Sequence, residues 1–131
     1  MTFTEINPKG NFDTWKKDKL KEVKQQQFSS NLGNPLYEND TIKLWEIQLK
    51  PSETMPFRKH TQNYSATSFS DGLLVSRNTN GRIVLIRLKR GDNFYFECHQ
   101  EEIIHDLENI GETTIRVIVL EEKKALREIY T

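Results

Sequence analysis

Arg58, His60, Gln62 and Tyr64 occupy alternate positions in the stretch "PFRKHTQNYS", which runs from Pro56 to Ser65. Alternate side chains of an extended strand share one face. The spacing therefore predicts a guanidinium, an imidazole, an amide and a phenol on one surface, with Phe57, Lys59, Thr61 and Asn63 on the other. Far downstream, "HDLEN" places His105 and Asn109 just before the last clear strand. If the sheet closes on itself, these segments bring His60 and His105 together inside it. Neutral imidazoles bind divalent metals and move protons. An Arg beside them could instead grip a carboxylate or phosphate through paired hydrogen bonds.

The rest of the chain supplies the elements that position these groups. From Leu36 onward the hydrophobic period is 2. "IKLWEIQLK" alternates Trp45, Ile47 and Leu49 against Glu46 and Gln48; "IVLIRLKR" alternates Val84, Ile86 and Leu88 against Arg87 and Lys89; "TIRVIVLEE" puts Ile115, Val117 and Val119 on one face. "FRKHTQNYSATSF" reads as a single strand, and "TNGR" as a tight two-residue hairpin turn. With turns every ~8–12 residues, this is the signature of a small antiparallel sandwich or barrel. Residues 1–35 read differently, as an N-terminal arm before a β-barrel domain spanning 36–131. In the arm, Asn11 or Asp13 could cap a short helix over "TWKKDKLKEVKQQQ". Its apolar stripe is narrow, so Trp15, Leu20 and Phe28 need a surface to cover them, on the barrel or on a neighbouring subunit. The closing "KKALREIYT" reads as a tail or short helix.

The run from Trp45 to Glu121 resembles the cupins, small jelly-roll barrels. The blocks that carry the resemblance come in order: "LKPSETMPF", "SDG", "LKRGDNFYF" and "HDLENIGETTIRVIVLE". It implies an all-β fold, a cupin-like double-stranded β-helix or jelly-roll barrel with a short N-terminal helical arm, and a homodimer. Cupins commonly hold a divalent metal through three His and a Glu. Carried over one residue at a time, the first His position is Arg58 and the second is His60. The Glu position falls on Tyr64 or Ser65, and the last His is His105, with Asn109 correctly spaced after it. Two of the four ligands are kept. Arg cannot shed its proton to bind a cation and repels one nearby, so Arg58 disfavours a bound divalent metal. If one binds, His60 and His105 are its ligands, with Tyr64 or His99 as a third.

Composition narrows the function further. Nineteen basic and nineteen acidic side chains cancel, so the field that drives nucleic-acid binding is missing. No apolar run approaches the ~20 residues that span a bilayer. Nor does the start resemble a signal peptide, and the expected setting is the cytoplasm. Cys98, the single cysteine, sits between acids that raise a thiol pKa, which argues against a nucleophile. The six acids and absent Lys or Arg from Glu97 to Glu112 read as a solvated surface loop. The expected function is the binding of a small polar or anionic metabolite in a pocket of Arg58, His60, Tyr64 and His105, beside a degenerate metal site. The alternative is a metal-dependent or acid–base enzyme acting on a small organic acid or sugar, with His60 or His105 moving the proton and Arg58 orienting the substrate.

Overall fold

The computed structural model describes residues 1–26, 28–98 and 103–123. His99 and the C-terminal segment 124–131 lie outside the described residues. The elements follow in the order β1 (Thr2–Glu5), α1 (Lys17–Lys24), β2 (Asn34–Glu38), β3 (Ile42–Leu49), β4 (Thr54–His60), β5 (Tyr64–Ser68), β6 (Gly72–Arg77), β7 (Ile83–Leu88), β8 (Asn93–Phe96), β9 (Ile103–Asn109) and β10 (Ile115–Glu122). They form two antiparallel five-stranded sheets, one ordered β1-β7-β6-β9-β4 and the other β2-β3-β10-β5-β8. From β3 to β10 the chain passes repeatedly from one sheet to the other, so the two close face to face as a jelly roll. The period-2 faces become the core: Trp45, Ile47 and Leu49 of β3, Ile86 and Leu88 of β7, and Ile115, Val117 and Val119 of β10 are all buried in one cluster.

Several local expectations change. The segment read as one strand from Phe57 to Phe69 breaks at Thr61–Asn63, and its halves join different sheets, β4 in the first and β5 in the second. The acidic stretch read as a surface loop contains β9, which pairs with both β4 and β6 inside a sheet. Its acids are accommodated because they meet cations there. Asp106, with none of its surface exposed, accepts bonds from the backbone and Nη1 of Arg77 at 2.7 and 2.9 Å and pairs with Lys19 Nζ at 2.9 Å. Glu108 takes Arg77 Nη2 at 2.6 Å. The hairpin at "TNGR" is wider than two residues. Asn78 N–H closes it onto the Arg82 carbonyl, and only Gly81 of its residues takes a positive φ, +91°. A Cβ on Gly81 would overlap the backbone of Gly10, so glycine is required twice over at this point.

The first 35 residues are bound to the barrel at several points. β1 pairs in register with β7, Thr2 to Arg87 through Glu5 to Val84. Helix α1 is shorter than expected and has no side-chain cap. It lies against the sheet that contains β4 and β9, where Lys19 reaches Asp106 and Glu22 accepts the Phe57 N–H at 2.7 Å. Trp15 stacks on Phe57 at 6.1 Å, and Phe28 meets the same ring at 6.0 Å. Trp15 and Phe28 thus find their cover on their own barrel.

Candidate functional site

The core does not fill the space between the sheets. A cavity of about 190 Å³ remains, walled mainly by apolar side chains such as Ile47, Met55, Leu107 and Val117, with a polar patch of His60, Tyr64, Ser76, Asn78 and His105. Each polar residue arrives by strand alternation. On β6 and its extension, Leu74, Ser76 and Asn78 face inward while Arg77 points to the outer ion network, and Asn78 bridges to His105 on β9. On β9, His105 and Leu107 line the cavity, and Asp106 faces away.

Three of the four residues expected to form the pocket therefore meet: His60, Tyr64 and His105. Arg58 does not line the cavity. A β-bulge explains the local geometry. β4 pairs with β9 at Met55↔Leu107 and next at Arg58↔His105, so Pro56 and Phe57 on one strand oppose the single residue Asp106 on the other. The extra residue turns Phe57 out toward Trp15 and brings Arg58 of β4, an edge strand of its sheet, into register opposite His105, where the half-buried Arg58 also bridges to Ser29. The Arg58 Nε is buried and has no hydrogen-bond partner among the described residues. Gln62 falls in the break between strands. His99 lies outside the described residues. Sequence reasoning missed Ser76 and Asn78, because short polar residues beside a turn signal carry no pattern of their own.

The imidazoles touch. His60 Nε2 and His105 Nε2 are 3.1 Å apart, with the rings nearly parallel at 8°. His105 Nδ1 lies 3.1 Å from the Asp106 carbonyl, which can only accept, so this nitrogen carries the proton. Ser76 Oγ, also 3.1 Å from Nδ1, accepts from it as well. His105 Nε2 is then a lone pair, His60 Nε2–H donates to it, and His60 Nδ1 is left a bare acceptor. That atom is buried and has no partner among the described residues. Burial, then the neighbouring His105, lowers the His60 pKa to about 3. Burial lowers that of His105 too. Both rings are therefore neutral near pH 7. Tyr64 stacks on His60 with ring centres 4.1 Å apart and on Phe96 at 4.8 Å. Its phenol pKa is raised by burial and by Cys98 beside it.

The donor set fits a metal only in part. His105 is oriented as metal-binding histidines are, with Nδ1–H held by a carbonyl. His60 is not: binding through Nε2 would move its proton to Nδ1, where nothing accepts it. Tyr64 holds its proton more firmly than a free phenol does. No group of three or more His, Cys, Asp or Glu comes together among the described residues, whereas firmly bound zinc or iron uses three or four protein ligands. Two imidazoles with one unsupported do not fit a tightly held divalent metal.

A closed antiparallel double sheet around a small cavity places the chain among the jelly-roll barrels. Comparison with solved structures narrows this to the cupin fold, which the chain has. It is similar to a cupin domain from Bordetella pertussis, with a TM-score of 0.62 and 18% identity over 75% of this chain and 98% of that one. A double-stranded β-helix protein from Klebsiella pneumoniae matches with a TM-score of 0.53 and 17% identity, over 76% and 80% of the two chains. An RmlC-like cupin from Shewanella frigidimarina matches with a TM-score of 0.50 and 17% identity, over 82% and 91%. No family model and no curated protein matches the sequence. No helix among the described residues is long and apolar enough to cross a membrane.

Proposed function

We propose that the protein is a binding module whose barrel takes one small, uncharged molecule, mostly apolar, with a hydrogen-bonding group turned toward the polar patch of the cavity. The observation that carries this is the character of the cavity wall: among the described residues it includes no Lys, Arg, Asp or Glu, and its two imidazoles are held neutral. An anion would enter a mainly apolar space where the cation at the wall, the Met1 ammonium, is already paired with Asp92, which costs several kcal/mol. The polar half of the expected ligand class is kept, and the anionic half loses its anchor with Arg58 outside the wall. Acid–base catalysis is less well served, since an imidazole whose pKa is about 3 is a poor base near neutrality.

A homodimer remains part of the proposal on different grounds from the arm. β2 and β8 are the two edges of one sheet, and they expose Leu36 and Tyr37, and Phe94 and Tyr95. Exposed apolar edge strands invite pairing with a second chain.

The test is a matched pair of probes, cyclohexanol and cyclohexanecarboxylate, followed by thermal shift on native protein and on Arg58→Ala. Cyclohexanol should raise Tm in both proteins and the carboxylate in neither. Stabilisation by the carboxylate that disappears in Arg58→Ala would overturn the reading and restore an anion site.

A further inference from the structure

The polar patch of the cavity is built on stacked rings. Phe96, Tyr64 and His60 lie in sequence, with interplanar angles of 17° and 18° and centre distances of 4.8 and 4.1 Å. Tyr64 is covered on both faces, so what it presents to the cavity is its ring edge. Phe3 meets Phe96 edge to face at 87°, which spends that pair's complementarity between themselves. Aromatic edges carry the positive end of the ring quadrupole and favour the negative face of another ring. The cavity is also the right size for one ring: an apolar cavity of about 150 Å³ binds benzene, and this one is about 190 Å³, leaving room for one substituent.

Asn78 faces the same space. Its backbone closes the hairpin onto Arg82, the residue lines the cavity, and its side-chain amide makes no hydrogen bond among the described residues. Ser76 is its neighbour on the inner face. Because the Ser76 oxygen accepts from His105 Nδ1–H, its own proton is available to a ligand. A free amide and a free hydroxyl proton offer both a donor and an acceptor at one end of an apolar chamber.

We infer that the cavity is a site for a single uncharged aromatic ring bearing one hydroxyl or amide, the ring set against the Tyr64 edge and its polar group read by Asn78 and Ser76. This rests on the reading of the barrel as a site for an uncharged molecule and names the class of that molecule.

Titration of phenol, cyclohexanol and toluene into native, Asn78→Ala and Ser76→Ala protein, followed by calorimetry or by NMR shifts of cavity methyl groups, tests it. In native protein phenol should bind roughly 2- to 10-fold more tightly than cyclohexanol, a molecule of nearly the same size and polarity. The ratio of phenol to toluene affinity should fall roughly 2- to 10-fold in Asn78→Ala or Ser76→Ala, whichever is folded, as expected for one hydrogen bond. Cyclohexanol binding as tightly as phenol would overturn the aromatic inference and leave the uncharged-ligand reading standing. An unchanged phenol-to-toluene ratio in both variants would remove Asn78 and Ser76 as readers of the polar group. Failure of all three probes to bind would overturn both readings.

Discussion

His60 is only 4% exposed and holds one side of a hydrogen bond between two neutral rings, and this has a consequence for stability. An unfolded imidazole titrates near pH 6.5, whereas in the fold His60 does so at about 3. As pH falls below about 6.5 the unfolded chain takes up a proton that the folded protein refuses. The stabilisation is complete above that pH, drains away toward pH 3 at up to about 1.4 kcal/mol per pH unit, and levels off once the folded ring also protonates. Urea denaturation of native protein and His60→Phe at steps between pH 7 and 4.5 should show a steeper loss in the native chain. Parallel profiles would mean that the ring is not held neutral. The same residue shows how far the sequence carried the site. His60, Tyr64 and His105 were legible because polar side chains at alternate positions have no packing reason to be in a core. Arg58 has the same spacing and lies opposite His105 in register, yet it does not line the cavity, and nothing in the alternation distinguishes it from His60.

Among the elements, β9 and α1 depend on each other. β9 carries Asp106 and Glu108 on its outer face, and these hold Arg77 of β6 and Lys19 of α1. Removing the central carboxylate leaves two cations facing each other with only Glu22 and Glu108 to answer them. Asp106→Ala is expected to destabilise the protein by about 3–5 kcal/mol, as broken buried pairs do, and chemical denaturation measures it directly. A loss below about 1 kcal/mol would show that the network is solvated in solution. This network is also why β9 was hidden in the sequence: six acids without a local Lys or Arg look like a loop until the partners arrive from residues 19 and 77, far away along the chain. Strands with a local signature were plain. β3, β7 and β10 alternate cleanly, and their apolar faces are the ones buried. β1 was not read, because its four residues are exposed and its place comes from pairing with β7 rather than from an apolar face.

For the whole molecule, access to the cavity is set by how the two sheets meet along their edges. On one side the contact is made by rings. β1 is an edge of the first sheet and β8 an edge of the second, and Phe3 crosses the seam to meet Phe94 at 4.9 Å and Phe96 at 6.0 Å. Phe3 and Phe96 both line the cavity, while Phe3 keeps 38% of its surface exposed, so the ring has the cavity on one side and solvent on the other. β1 is attached through four register pairs to a single neighbour, and short edge segments of this kind open at lower free energy than the core. Phe3 is thus placed as the entrance. Phe3→Ala should cost about 1 kcal/mol of stability, the value of a half-exposed ring and its edge contacts. It should speed both entry and exit of phenol, exit the more, because the ring guards the path and is also part of the cavity wall. Phe69→Ala, an exposed ring outside the cavity wall, is the control. Exchange rates of phenol measured by NMR line shape on the three proteins decide the matter, and an unchanged rate in folded Phe3→Ala protein would place the entrance elsewhere on the barrel.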